Sequence, residues 1–141
     1  QALISQFENI VLSPVYESAP VGFKGNNFYN MVVKFESGET VEKIEAYLHK
    51  VETSFGRDRG GEVISRTLDL DLLLYGDVIR EQGNVVLPRE DILRYAFVLK
   101  PLADIAGDRV HPVNGISYQE LWHSFDKEDL DLRKVDIKFT N

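Results

Sequence analysis

Apolar and polar residues alternate along two stretches near the start of the chain, residues 10–17 and residues 28–36. A period of two predicts β-strands, because successive side chains of a strand point to opposite faces. The connection, residues 18–27, is short and contains Pro and Gly, so we expect the two strands to be antiparallel neighbours. Residues 1–7 have a helical apolar spacing and are predicted to be the end of a helix.

The spacing of the apolar residues changes in the next stretch, residues 41–55. Its apolar positions are Val41, Ile44, Leu48, Val51 and Phe55. This spacing puts them on one face of an amphipathic helix over residues 41–55, and Gly56 is the predicted end. Later elements are a short strand over residues 84–87, a helical turn over residues 89–95 and a helix over residues 118–125. We predict no element for the charged tail from Asp126 onwards.

The most regular alternation lies in residues 68–75, which we predict to form a strand closed by a turn at Gly76-Asp77. Its apolar face would consist of Leu68, Leu70, Leu72 and Leu74. The other face would carry Asp69 and Asp71 beside Leu73 and Tyr75. Strand, strand, helix and strand in this order predict an α+β fold, with helices covering one face of the sheet.

Two carboxylates at positions i and i+2 of a strand are unusual. Asp69 and Asp71 would lie roughly 7 Å apart. At an effective dielectric near ~20, two unit charges repel at that distance by about 2 kcal/mol. A Mg²⁺ ion would remove this cost, because it accepts carboxylate oxygens and keeps positions for water and phosphate. The alternative interpretation is a half-exposed edge strand whose polar face is acidic.

The residues before this segment suit an anionic ligand. Arg57, Arg59 and Arg66 fall within a run that also contains glycines, so we predict a mobile loop from Arg57 to Ser65. Arginines that lead into two carboxylates fit a polyphosphate bound through a metal ion. The alternative is a solvated loop with ordinary salt bridges.

Composition narrows the function classes. The chain has 141 residues, which suits one domain, and no cysteine, which excludes disulfides and zinc–thiolate sites. Its net charge of −7 argues against general nucleic-acid or anionic-membrane binding, and it contains no apolar run long enough to span a bilayer. We expect a cytoplasmic monomer. His49, His111 and His123 have no metal-like spacing and are predicted to be structural.

Residues 66–76, Arg-Thr-Leu-Asp-Leu-Asp-Leu-Leu-Leu-Tyr-Gly, closely resemble the signature of the 6-hydroxymethyl-7,8-dihydropterin pyrophosphokinases of folate biosynthesis. The resemblance extends to residues 16–22, 28–30, 87–88 and 97–102. It implies a ferredoxin-like antiparallel sheet with helices packed on its faces. It also implies pyrophosphate transfer from ATP to the pterin hydroxymethyl group with two Mg²⁺ ions.

The resemblance assigns roles residue by residue. Metal ligands would be Asp69 and Asp71, and the catalytic residues Arg57 and Arg66. Pterin-binding residues would be Val21, Phe28, Asn30 and Phe97, and ATP-binding residues would be Glu52, Arg59, Leu72, Arg89 and Arg94. Without the resemblance, Phe28 and Phe97 could equally be core residues, Asn30 an exposed strand position and Glu52 a solvated helix position.

Three departures from the family pattern bear on this assignment. The family opens with a strand and a Gly-Ser-Asn loop, so residues 1–141 would be a single domain without its N-terminal strand. Arg89 stands where a histidine is usual, and Tyr95 stands where an arginine is expected. These two changes motivate an alternative function, a pterin-binding paralogue with weak or no transfer. A third possibility is an α+β interaction module whose Asp-x-Asp is incidental.

Overall fold

The computed structural model describes residues 7–18, 28–58, 70–81, 85–127 and 130–135. The strands are β1 (Glu8–Leu12), β2 (Val15–Ser18), β3 (Phe28–Asn30), β4 (Val33–Glu36) and β5 (Leu132–Val135). The helices are α1 (Val41–Asp58), α2 (Asp91–Arg94), α3 (Ala96–Ala106) and α4 (Tyr118–Ser124). The predicted α+β class is confirmed. The predicted helix over residues 1–7 lies, except for Phe7, outside the described residues.

The two predicted N-terminal strands are antiparallel neighbours, as expected, but each is interrupted in its middle. β1 pairs with β4, and β2 pairs with β3. The break falls at Pro14, which has no N–H to donate to a ladder. Ser13 bridges the break, because its amide donates to the Val32 carbonyl at 2.9 Å and its hydroxyl accepts from the Val32 amide at 2.8 Å.

The charged tail supplies a strand that the sequence pattern did not predict. β5 pairs antiparallel with β2, from Val15 opposite Val135 to Ser18 opposite Leu132. An ion pair between Arg133 and Glu17, with 3.2 Å between nitrogen and oxygen, joins the same two strands. β2 is therefore the central strand of a β3-β2-β5 sheet, and β1 and β4 form a second pair.

The amphipathic helix is confirmed, but its predicted end at Gly56 is wrong. α1 begins after Thr40, whose hydroxyl accepts from the Lys43 amide at 3.2 Å, and continues to Asp58. Glycine lacks a side chain but can adopt helical angles, so Gly56 lowers helix stability without ending the helix. Arg57 consequently belongs to the last turn of α1 and not to the predicted loop.

The predicted strand over residues 68–75 is also wrong where the structure describes it, because residues 70–75 form no regular strand. The reason is that the leucines pack on two sides. Leu70 and Leu72 join one hydrophobic cluster, whereas Leu73 and Leu74 pack against another. The turn at Gly76-Asp77 is confirmed, with Gly76 at a φ of 55°, which favours glycine.

The second half is mostly helical. The predicted strand over residues 84–87 is reduced to one bridge between Arg80 and Leu87, and α2 confirms the predicted helical turn. The sequence pattern missed α3, because Pro101 lies inside this helix and normally argues against one. The hydroxyl of Ser117 accepts from the Glu120 amide at 3.2 Å and caps the predicted helix α4.

Two hydrophobic clusters form the core of the described part of the chain. The first, built on α1, contains the buried residues Phe7, Val41, Ile44, Leu48, Leu72 and Leu87. The second, built on α3 and α4, contains Val32, Ile92, Leu99, Leu102, Ala106 and Tyr118. The segment 70–75 lies between the clusters and contributes to both. No helix within the described ranges is sufficiently long and apolar to cross a membrane.

Candidate active site

A cleft of about 910 Å³ separates residues 30–37 from residues 70–77, and part of its wall comes from α3. Four of the residues predicted to bind ligands line it: Asn30, Asp71, Leu72 and Phe97. Leu72 packs its side chain into the first hydrophobic cluster. The fold therefore brings together part of the predicted pterin site and part of the predicted metal and nucleotide site.

Asn30 ends β3, directly opposite Tyr16 of β2. Its side-chain nitrogen Nδ2 is buried and has no hydrogen-bond partner among the described residues. A buried amide that lacks a partner is costly, so such a group is suited to a ligand that supplies an acceptor. The alternative interpretation of Asn30 as an exposed strand position is wrong, because the residue is only half-exposed.

Tyr16 fixes the strand that pairs with Asn30, and the sequence predicted no site role for it. Its hydroxyl donates a hydrogen bond to the Asp104 carboxylate of α3. Burial, followed by that carboxylate, raises the pKa of Tyr16 well above its usual value. Lys100 completes the cluster with 2.6 Å between its Nζ atom and Asp104 Oδ1. Only the position of Tyr16 in an alternating strand could have indicated that it is buried.

Phe97 lies in the first turn of α3 and is half-buried at the cleft. The ring of Tyr95 stacks on it, with 5.0 Å between ring centroids and 17° between ring planes. Tyr95 is the residue that stands in place of the expected arginine. Its aromatic ring holds Phe97 in place, and an arginine at this position would not provide the same ring-on-ring packing.

Asp71 presents its carboxylate to solvent, with 55% of the side chain exposed. Its neighbour Leu70 is tied to α1, because the Leu70 amide donates to Glu52 Oε2 at 2.6 Å. The other Glu52 oxygen lies 3.0 Å from His49 Nδ1. Glu52 is thus no solvated helix position, and the structure shows it anchoring the segment that carries Asp71.

Arg89 approaches the same carboxylate from the segment that precedes α2. Its Nη1 atom lies 3.9 Å from Asp71 Oδ1, and its Nη2 atom lies 3.3 Å from Asp91 Oδ1. The Arg89 amide donates to the Leu73 carbonyl at 3.0 Å, which fixes its backbone beside the Asp71 segment. Asp91 was not predicted to belong to the site. The one sequence feature that could have indicated it is its position two residues after Arg89.

Arg94 does not reach the cleft. Its guanidinium pairs with Glu90 across one helical turn, with 3.4 Å between the atoms, and 62% of its side chain is exposed. It is absent from the residues that line the cleft. Among the residues that the structure describes, Arg94 has no contact that supports its predicted role with ATP.

The remaining predicted site residues cannot be placed. Val21, Arg59, Arg66 and Asp69 lie outside the described residues, and for Phe28 and Arg57 only the backbone is described. The described residues contain no group of three His, Asp or Glu side chains that could hold a metal ion. Asp71 still fits Mg²⁺, since an exposed carboxylate is the hard oxygen ligand this ion accepts together with water and phosphate.

The sequence has clear relatives. Residues 1–107 match the family model of 7,8-dihydro-6-hydroxymethylpterin-pyrophosphokinase. The chain is 36% identical over 113 residues to the 2-amino-4-hydroxy-6-hydroxymethyldihydropteridine pyrophosphokinase of Haemophilus influenzae, a match that covers 77% of this chain and 71% of that protein. It is 34% identical over 125 residues to the protein of the same name from Synechocystis, with coverages of 89% and 64%.

A further match is the folic acid synthesis protein of Pneumocystis carinii, at 36% identity over 119 residues. That match covers 84% of this chain but 16% of the fungal protein. The chain therefore spans less than two thirds of the length of two of these three relatives.

Proposed function

The chain belongs to the 7,8-dihydro-6-hydroxymethylpterin-pyrophosphokinase family, and from this premise we propose that it transfers pyrophosphate from ATP to 6-hydroxymethyl-7,8-dihydropterin in folate biosynthesis. The observation that carries the proposal is the cleft in which Asn30 and Phe97 face the same space as Asp71. An amide, an aromatic ring and a carboxylate are the groups needed for a flat heteroaromatic beside a metal-bound polyphosphate.

In this proposal Asn30 and Phe97 hold the pterin. The Asn30 side chain both donates and accepts hydrogen bonds, which matches the edge of a pterin ring, and Phe97 stacks on the ring face. The hydroxymethyl oxygen then attacks the β-phosphorus of ATP and loses its proton to solvent, the bond from that phosphorus to the α-phosphate oxygen breaks, and AMP leaves. Positioning of the two substrates and electrostatic stabilisation together supply the rate.

The acidic and basic residues would handle the polyphosphate. Asp69 and Asp71 would hold two Mg²⁺ ions, which neutralise phosphate charge when bound. Arg57 and Arg66 would stabilise the charge that develops during transfer, with Arg59 beside them. Glu52, Leu72, Arg89 and Arg94 complete the predicted ATP site, in which Glu52 would act by holding the Leu70 amide and Arg89 lies beside Asp71.

The ferredoxin-like arrangement, the oligomeric state and the cellular location are also proposals. We assign the ferredoxin-like arrangement because the antiparallel pairing of β2 with β3 is followed by α1, as that fold requires. We propose a monomer in the cytoplasm, with the two small molecules as its partners.

A pterin-binding paralogue with little transfer is the second candidate. The observation that favours it is the Arg89 guanidinium, which lies close enough to Asp71 to compete with a metal ion for that carboxylate. Such a protein would bind pterin and fail to use ATP.

One experiment separates the two candidates. The protein is incubated with ATP, Mg²⁺ and the pterin, and AMP and pterin diphosphate are quantified by chromatography. Equal amounts of both products establish the transferase, and Asp71→Ala should lower the rate by at least about 100-fold because a lost metal ligand removes charge stabilisation. Pterin binding without AMP would establish the paralogue. Unchanged turnover in Asp71→Ala would refute the metal assignment.

A further inference from the structure

Arg89 lies between two carboxylates, Asp71 and Asp91, and is nearer to Asp91. Its backbone is held beside residue 73 by a hydrogen bond, and the neighbouring residues Leu87, Pro88 and Ile92 are buried. The side chain is less constrained than this framework, since 37% of it is exposed. The guanidinium can therefore change partners while its backbone stays in place.

One donor of this guanidinium is unsatisfied in the described structure. Arg89 Nε is buried and has no hydrogen-bond partner among the described residues. A buried charged donor without an acceptor is costly, so a rearrangement that offers Nε an oxygen is favourable. Phosphate oxygens are such acceptors, and arginine binds them through two parallel N–H groups.

The position of Arg89 also affects how tightly the Asp71 carboxylate can bind a cation. A guanidinium next to a carboxylate lowers the affinity of that carboxylate for a cation, because the two positive charges compete for it. Once a metal ion has taken Asp71, the same guanidinium faces a second positive charge and favours an anion instead. The two arrangements exclude each other at Asp71.

We propose that the Arg89 side chain has two alternative partners. Without metal it pairs with Asp71 and Asp91, and when Asp71 binds a divalent cation it turns to the polyphosphate of the nucleotide. The proposal rests on the proposed function, since it takes Asp71 as a metal ligand and ATP as the nucleotide. It makes metal binding and nucleotide binding depend on each other through one side chain.

The test compares two affinities in Arg89→Gln. Mn²⁺ alone, measured by electron paramagnetic resonance without nucleotide, should bind severalfold more tightly than in the wild type. Mg²⁺–ATP, measured by calorimetry, should bind at least about tenfold more weakly because a phosphate contact is lost. A purely structural role would weaken both affinities or leave both unchanged, and either result would overturn the proposal.

Arg80→Gln is the matched control. Arg80 pairs with Glu42 at 2.5 Å, so the substitution also removes an arginine from an ion pair, and neither affinity should change. If Arg89→Gln does not fold, Arg89→Lys replaces it and should retain part of the ATP affinity as a point charge. Asp71→Asn separates this proposal from the proposed function, because Mn²⁺ affinity that is equal in Asp71→Asn and wild type refutes the metal site itself.

Discussion

At the scale of single residues, two polar groups are buried for different reasons. The Asn30 amide faces the cleft and lacks a partner among the described residues, which suits a ligand. His111 is buried at a turn and has its partners within the chain, because its Nδ1 atom accepts from the amides of Val113 at 3.2 Å and Asn114 at 3.4 Å. The first group is a candidate for binding and the second stabilises the fold.

Asn30→Ala should weaken pterin binding and leave nucleotide binding intact. Loss of one or two hydrogen bonds to the pterin edge corresponds to roughly 1–3 kcal/mol, or about 5- to 150-fold in affinity. Calorimetry with the pterin and, separately, with Mg²⁺–ATP measures both. An equal loss of both affinities would show that Asn30 supports the fold and not the pterin.

His111 should make stability depend on pH. Burial lowers the pKa of His111, so the unfolded chain takes up this proton first. Stability is therefore complete above the unfolded pKa of about 6.5 and is lost as the pH falls through the folded pKa. Protonation also puts a hydrogen on Nδ1, which can then no longer accept from the Val113 and Asn114 amides.

Urea unfolding at two pH values, one above and one below about 6.5, measures this effect. The free energy of unfolding should fall more in the wild type than in His111→Asn, whose amide oxygen can still accept from the turn. An equal fall in both proteins would assign the pH dependence to other groups.

At the scale of elements, the site depends on how α1 holds the irregular segment 70–77. The hydrogen bond from the Leu70 amide to Glu52 is a described tie between them, and it fixes the residue before Asp71. The alternation of leucines predicted a strand here. It could not reveal that the core lies on two sides of the segment, because that depends on where α1 and α3 pack.

Glu52→Ala should release this segment. We expect a loss of about 1–2 kcal/mol in stability from the unpaired amide, faster hydrogen exchange at Leu70 and weaker Mg²⁺–ATP binding. Glu52→Gln keeps an acceptor and should behave nearly as the wild type in exchange and stability. Glu45→Ala, in the same helix, is the control. Unchanged exchange at Leu70 in Glu52→Ala would contradict the anchoring role.

At the scale of the whole molecule, local sequence patterns predicted the α+β fold class and the order of the early elements. The later elements and the contacts between distant residues depend on long-range packing. The apolar spacing of α1 and the pairing of β2 with β3 could be predicted because each depends on residues that are close in sequence. β5 was not, since its charged sequence becomes a strand only by pairing with the distant β2. The position of Arg89 beside Asp71 likewise required the fold, because 18 positions separate them.

The second hydrophobic cluster should contribute much of the free energy of unfolding. It also holds α3, the helix that presents Phe97. Leu99 is only 1% exposed, so Leu99→Ala should cost about 2–5 kcal/mol of unfolding free energy. Leu93 is 44% exposed, and Leu93→Ala should change the unfolding free energy by less than about 0.5 kcal/mol. Urea titrations measure both variants, and equal losses would contradict the assigned core.

The central claim is that one cleft holds both substrates. Its most direct test is a calorimetric titration of 6-hydroxymethyl-7,8-dihydropterin into the protein, with and without Mg²⁺ and a non-hydrolysable ATP analogue. We predict that the pterin binds more tightly when the nucleotide is present, because the two ligands then share the space between Asn30 and Asp71. Pterin affinity that is indifferent to the nucleotide, or absent in both conditions, would contradict the account.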